Sequence, residues 1–311
     1  MTIYIYKLLI IFHLISIPLK IAYHNFFRVL NMGEYKLEMR ISEQMLLKNV
    51  IKELREIPQK ARLKKTSRLV DKLLSDDILR AMLNAANVLL VNYLKYNDHG
   101  WNHSCITARN ALKILLVLND AGIKPNIVSH GFGTLDDAAF IVILASFLHD
   151  IGNIYHRKLH YLSSVIVSEP IIWNYINEFY HDEDLKKKWL IYAHITNAIF
   201  SHDESVQAFT IEASAVKVGD GCDIAAGRSR RPYNLGKVDI HSVSALSIRD
   251  VTITRGKEKP LRIQVDMTDP AGIFQVEEVL WPKVKSSLLV DKIEILCTVD
   301  GKPIRLSRII V

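Results

Sequence analysis

The chain has 311 residues, of which 49% are apolar and 23% are charged. This composition excludes an intrinsically disordered chain and provides for one well-buried domain plus a smaller one. The formal net charge of +7 favours acidic partners such as nucleotides or nucleic acid without identifying one of them. The three cysteines, Cys105, Cys222 and Cys297, lie far apart and show no CxxC spacing, so we expect neither a disulfide framework nor a cysteine zinc site, and a reducing cytoplasm fits.

The segment 1–32 is apolar at its beginning and needs separate treatment. Residues 2–22 are just long enough to span a membrane, but Lys7, His13 and Lys20 interrupt them. Three interpretations stay open: translation begins at Met32, the segment is a membrane anchor, or it is a helix packed on the body of the protein. Membrane association follows only if residues 1–23 are translated and inserted.

Residues 33–98 alternate apolar and charged side chains at helical spacing, and we expect a helical N-terminal region here. Pro58 is predicted to break this helical pattern. The basic stretch from Lys60 to Arg68 is interpreted as a solvated helix face, with a phosphate-binding patch as the alternative.

The middle of the chain also reads as helical. Predicted helices cover Ile106–Leu118, Ala138–Leu148, a stretch after 158 that Pro170 divides from the next, Leu185–Phe200 and Ile211–Ala226. No strand pattern occurs before about residue 236, so the fold class is expected to be mainly α.

The pattern changes after 236. Three segments with β-branched residues predict strands, and a helical stripe from Ile273 to Val284 lies between the second and the third; the strands are Val251–Thr254, Leu261–Met267 and Ile293–Val299. Residues 236–311 are therefore predicted to form a small α+β domain. Because short strands need a neighbour to cover their edges, this domain is a candidate homo-oligomer contact.

The histidines carry the main functional signal, since nine of the twelve fall between His99 and His202. Histidine is the commonest metal ligand, and imidazole combined with carboxylate suits divalent transition metals. His149 and Asp150 end the apolar helix Ala138–Leu148, where adjacent side chains can reach one ion and a carboxylate can bridge two. Taken alone, this pair is better explained as a helix cap followed by a turn.

Two further residues change that assessment. His103 opens one predicted helix, and Asp220 lies on an otherwise apolar helical face, where a carboxylate is costly to bury without a partner or an ion. His103, His149, Asp150 and Asp220 together resemble, in order and setting, the H…HD…D signature of the HD superfamily of metal-dependent phosphohydrolases. The resemblance implies an HD-type helical bundle with a catalytic metal-binding domain at 99–235.

The same resemblance implies further ligands. Two-metal members of the superfamily carry extra histidines in the intervals where His160 and His202 lie, so both look like ligands of a second ion. His156 is a weaker candidate, either for a metal ligand or for a phosphate contact. His194 is expected to contact the metal ligands instead of binding an ion directly.

An arginine-rich stretch follows Asp220. It is similar to that of ribonuclease Y and of cyclic-dinucleotide phosphodiesterases of the superfamily, and residues 228–274 also resemble an archaeal group of HD proteins. Guanidinium groups bind phosphate oxygens in pairs, so Arg228, Arg230 and Arg231 are predicted to assist catalysis, with Arg157, Arg228 and Arg231 on the substrate phosphate. The chain departs from many relatives at Asn153, where they have lysine, and it lacks the Gly-Tyr-Pro motif of one cyclic-di-GMP class.

The resemblance implies a metal-dependent hydrolase that acts on a nucleotide or related phosphoester through metal-activated water, with Asp150 as the central catalytic residue. One or two divalent ions are expected, and Mn, Mg, Fe, Ni and Zn are not distinguished. A small phosphorylated substrate is preferred, and RNA is an alternative. The competing interpretations are a di-iron oxygenase and a non-catalytic metal-binding module.

Overall fold

A computed structural model describes residues 41–225 and 240–304. The described residues from Glu43 to Ile304 belong to one compact unit. The predicted N-terminal segment 1–32 lies outside the described residues, as does the predicted domain boundary at 236.

Helices make up most of the described chain. They are α1 (Ile41–Lys60), α2 (Lys64–Leu74), α3 (Asp77–Val88) continued by a π-helical turn (Leu89–Tyr93), α4 (Trp101–Asp120), α5 (Asn126–Ser129), α6 (Leu135–Leu148) followed by a 3-10 turn (Ile151–Ile154), α7 (His160–Phe179), α8 (Leu185–Phe200), α9 (Ile211–Gly221) and α10 (Ile240–Leu246).

Helix α6 is the centre of the core. Twelve of its fourteen residues are buried, and it contacts α2, α4, α8 and α9. Its N-terminus is fixed by a capping box, in which the Thr134 hydroxyl accepts from the Asp137 amide and the Asp137 carboxylate accepts from the Thr134 amide. Because the helix is buried on all sides, the residues that follow it, His149 and Asp150, also lie in the interior.

The C-terminal part contains a four-stranded sheet in the order β1 (Ile248–Arg255), β2 (Leu261–Met267), β3 (Ile293–Val299) and β4 (Lys302–Ile304). β1 and β2 are antiparallel, β2 and β3 are parallel, and β3 and β4 are antiparallel. The parallel pair is joined by a helical crossover consisting of α11 (Ile273–Gln275), a π-helical turn (Val276–Leu280) and α12 (Trp281–Lys285). The predicted fold class, mainly α with a small C-terminal α+β part, is confirmed.

Several boundaries differ from the sequence prediction. Pro58 lies in the last turn of α1, and Pro170 lies inside α7 instead of dividing two helices. An internal proline costs about 3 kcal/mol in a helix, and α7 tolerates it because it packs on both α8 and the 3-10 turn. Helix α9 ends at Gly221, earlier than the predicted end at Ala226, and the three-residue strand β4 was too short to be predicted.

Among the described residues, one helical stretch, Leu135–Ile154, is long and apolar enough to cross a membrane. Its most apolar window is 94% buried. This stretch consists of the core helix α6 and the turn that follows it, and its apolar side chains pack inside the protein.

Candidate metal centre

Three helices bring the histidines and aspartates of the predicted signature together. His103 lies in the first turn of α4, His149 and Asp150 follow α6, and Asp220 lies near the end of α9. All four side chains are at most 6% exposed. The Nε2 atom of His103 is 3.1 Å from Nε2 of His149 and 3.1 Å from Oδ1 of Asp220. The structure therefore brings these four residues together in one buried cluster.

Asp150 lies between two pairs of imidazole rings. Its Oδ2 atom is 3.4 Å from Nε2 of His149 and 3.5 Å from Nε2 of His103. Its Oδ1 atom faces the other way and is 3.3 Å from Nε2 of His160 and 3.7 Å from Nε2 of His202. Each carboxylate oxygen thus belongs to a different pair, which is the arrangement expected of a carboxylate shared by two ions.

Within each pair of imidazole rings, the two Nε2 atoms lie close together. The Nε2 atoms of His160 and His202 are 3.0 Å apart, like those of His103 and His149. In all four rings the other nitrogen, Nδ1, meets an oxygen acceptor, so the proton belongs there and the lone pair of Nε2 points inward. Two ligands at right angles with bonds of about 2.1 Å are roughly 3.0 Å apart. The buried histidines and aspartates present therefore fit metal binding.

The electrostatics of the histidines agree with this assignment. Burial lowers the pKa of His160 to about 3, although Asp150 opposes the shift. Burial also lowers the pKa of His202, again against a hydrogen bond to Asp150. Both rings are consequently neutral at physiological pH, and a neutral ring is the form that binds a metal.

The carboxylates are held in their charged form. Burial alone raises the pKa of Asp150, but electrostatic interactions with the adjacent His149 and His99 rings and hydrogen bonds to His103 and His149 outweigh it, so the pKa lies well below its usual range. The same holds for Asp220, where Lys283 provides the largest opposing contribution. Ionised carboxylates are the ligand form that hard and intermediate cations require.

Two functional residues were missed by the sequence analysis. Asp223 places Oδ2 2.6 Å from Nδ1 of His103, which gives the carboxylate–histidine pairing common behind metal ligands. His99 places Nδ1 2.6 Å from Oδ2 of Asp150 and groups with His103 and Asp150 as possible ligands. Asp223 follows Asp220 by three positions and His99 precedes His103 by four, and this spacing was the available signal for both.

Asn153 orients the Asp150 carboxylate. Its side-chain amide donates to Oδ1 of Asp150 at 2.9 Å and to the Asp150 carbonyl at 2.9 Å. A neutral donor therefore holds this carboxylate, at the position where the sequence analysis noted lysine in the HD superfamily. The 3-10 turn that carries Asn153 is fixed to α7 by Ser164, whose hydroxyl accepts from the Gly152 amide at 2.9 Å.

The cluster opens into a cavity of about 480 Å³. Six carboxylates and two cationic side chains, Arg157 and Lys283, line it together with His99, His160 and His202. Before any metal binds, this cavity has an excess of negative charge that repels an anionic ligand. The C-terminal part supplies one wall through Ala245, Gln275, Glu278, Val279 and Lys283, a contribution that the sequence analysis did not predict.

The remaining predicted site residues differ in position. Arg157 lines the cavity, with one guanidinium nitrogen 3.5 Å from Oδ1 of Asp150. His156 is exposed, and its Nδ1 accepts from the Lys158 amide at 2.9 Å. His194 lies near Glu212, His130 and Lys187. The possible ligand groups formed by the described residues include His202 but neither His194 nor His160, although Nε2 of His160 lies 3.3 Å from Oδ1 of Asp150. The predicted Arg228, Arg230 and Arg231 lie outside the described residues.

Comparison with known proteins gives one informative relative. The chain is 39% identical over 237 residues to the protein named uncharacterized protein MJ1020 of Methanocaldococcus jannaschii, a match that covers 76% of this chain and 90% of the archaeal protein. The chain belongs to the same family as that protein. No family model matches the chain, and no solved structure matches it. Family membership thus gives no activity, and function must be argued from the centre itself.

Proposed function

We propose that the protein is a metal-dependent phosphohydrolase or phosphodiesterase of the HD superfamily that acts on a nucleotide or a related phosphoester. The observation that carries this proposal is the position of Asp150, whose two oxygens face two separate histidine pairs. Asp220 completes the first pair's ligand set, since its Oδ1 lies 3.1 Å from His103 and 3.8 Å from His149. The order of these residues along the chain is that of the superfamily signature.

The centre would hold one ion with His103, His149, Asp150 and Asp220, and a second with Asp150, His160 and His202. Divalent ions held there would supply Lewis-acid polarisation of a phosphoryl oxygen and would lower the pKa of bound water. The protein's own residues fix the ligands: Asp223 holds the His103 ring, and Asn153 holds the Asp150 carboxylate. Arg157 borders the cavity beside Asp150 and is placed to neutralise charge on a phosphate.

The cavity supports a small substrate. Its volume of about 480 Å³ lies within the range typical of small-molecule sites. Lys65 belongs to the basic stretch Lys60–Arg68 that was considered for RNA binding. Its side chain is only 25% exposed and forms an ion pair with Asp137 at 2.7 Å, so its charge is already paired within the protein. The apolar side chains of Leu94, Tyr96 and Ile224 on the cavity wall suit a nucleoside or another partly apolar group.

The experiment compares wild type with Asp150→Ala and with Asp182→Ala, a matched control whose side chain is 86% exposed. Each protein is purified without chelator, analysed for metal content, checked for folding by circular dichroism, and assayed for nitrophenol release from bis-nitrophenyl phosphate with Mn, Mg, Ni and Fe. We expect bound metal and metal-dependent release in the wild type and the control, and loss of both in Asp150→Ala. Release that persists unchanged in folded Asp150→Ala contradicts the proposal, and stoichiometric iron without release under any metal favours oxygenase chemistry instead.

A further inference from the structure

The crossover of the C-terminal sheet is joined to the metal-bearing helix by two lysines that point in opposite directions. Lys217 of α9 donates to the carbonyl and the hydroxyl of Ser286, just after α12, at 3.0 and 2.9 Å. Lys283 of α12 donates in return to Oδ2 of Asp220 on α9, at 2.5 Å. The two contacts hold α12 against the helix that supplies a predicted ligand.

The path of the Lys283 side chain depends on a glycine. A Cβ atom at Gly221 would lie 3.1 Å from Cδ and 3.4 Å from Cβ of Lys283, and 3.3 Å from Leu280. Glycine thus lets the lysine stem lie directly on the end of α9. The Lys283 side chain is only 11% exposed, and its ammonium group also donates to the carbonyl of His202 at 3.0 Å.

Asp220 is consequently divided between two neighbours. Its Oδ1 faces Nε2 of His103 at 3.1 Å, whereas its Oδ2 is bound by Lys283. We propose that Lys283 is a positioning residue of the metal centre, which keeps Asp220 a ligand through one oxygen only and ties the backbone of His202 to the same point. This inference rests on the metal-dependent function proposed above, and it assigns to the C-terminal part a role in shaping the centre.

A consequence for metal binding follows from charge. Without Lys283, Oδ2 of Asp220 loses its cationic donor and can turn toward an ion, and the cavity loses one of its two lining cations. Removing a positive charge beside a cation site strengthens cation binding. We therefore expect the loss of Lys283 to change the ligand field of the bound ion without weakening its binding, which a residue that only anchors α12 would not do.

The test uses the full chain loaded with Co²⁺, whose visible absorption and circular dichroism report the ligand field. Wild type is compared with Lys283→Met, with Lys283→Arg, which retains a cationic donor, and with Lys285→Met, an exposed lysine on the same helix. We expect shifted cobalt bands in Lys283→Met with a Kd for Co²⁺ no weaker than that of the wild type, and wild-type spectra in the other two variants.

Superimposable spectra of Lys283→Met and wild type overturn the inference, as does weaker Co²⁺ binding by a folded Lys283→Met. If Lys283→Met does not fold, Gly221→Ala displaces the lysine stem while leaving all ligands in place. It is expected to shift the cobalt bands in the same direction, and an unchanged spectrum there also overturns the inference. A wild type that binds no Co²⁺ refutes the metal function itself, so the two failures are distinguishable.

Discussion

Asp223, which is hydrogen-bonded to the His103 ring, offers a sharp test of the ligand assignment. Asp223 contacts Nδ1 of His103 at 2.6 Å, and the His103 side chain is fully buried. Residues in this position typically contribute 10- to 100-fold in metal affinity. Asp223→Asn keeps an oxygen that can accept from Nδ1 but removes the charge, so we expect affinity for Mn²⁺ to fall about 10-fold, or about 1.4 kcal/mol. Asp223→Ala also leaves Nδ1 without this acceptor, and we expect a loss of about 100-fold.

The assay is a competition titration of Mn²⁺ against a fluorescent chelator. Asp203→Asn is the matched control, because Asp203 lines the same cavity but accepts hydrogen bonds from Ser205 instead of an imidazole ring. Its loss should change affinity by less than about fivefold, the effect of a partly exposed charge. Equal effects of Asp203→Asn and Asp223→Asn, or no effect of Asp223→Ala, would refute the account of how His103 is held.

Two predictions concern the stability of the fold and the proposed second ion site of Asp150, His160 and His202. Burial raises the pKa of Asp137, but Lys65, the Thr134 amide and Lys187 outweigh it and lower the pKa below its usual value. A carboxylate whose pKa is lower in the folded than in the unfolded state stabilises the protein at pH values above the unfolded-state pKa of about 3.9. This stabilisation is lost as the pH falls below that value. Asp137→Asn should therefore lower the free energy of unfolding by about 3 kcal/mol at pH 7, since it leaves the largely buried Lys65 and Lys187 without their carboxylate partner. Urea unfolding should show that the difference in free energy of unfolding between wild type and variant becomes smaller below about pH 4. A difference that is constant with pH would contradict this prediction. Gly152→Ala should lower the free energy of unfolding by about 1–3 kcal/mol through overpacking, because a Cβ there would lie 2.2 Å from the Ser164 amide nitrogen and 2.4 Å from the His160 carbonyl oxygen. Calorimetric titration should show a larger loss of Mn²⁺ affinity at the weaker of the two binding events, which we assign to the three-ligand site that includes His160. An equal loss of affinity in both events would count against this assignment.

The ligand cluster was predictable because its signals are local. The apolar run that ends at His149 places this residue and Asp150 in the interior, and the aspartate on the apolar face of α9 calls for a buried partner. Such features depend on neighbouring residues along the chain and mark these residues as candidates, and the resemblance to the H…HD…D signature then joined them into one set.

The contribution of the C-terminal part could not be predicted in the same way. Lys283 lies 63 positions after Asp220, and nothing in its local sequence distinguishes it from Lys285. Only the packing of α12 on the end of α9 brings its ammonium group to the carboxylate. The continuity of α7 through Pro170 has a similar origin, since tertiary contacts override a local helix-breaking preference.

The central claim is that Asp150 is shared by two metal ions, and native mass spectrometry of the Mn²⁺-loaded protein tests it most directly. The account predicts two ions per chain in the wild type and one in His160→Ala, because the ligands His103, His149 and Asp220 stay intact in that variant. A wild type that binds no more than one ion at saturation, or a His160→Ala variant that still binds two, would contradict it.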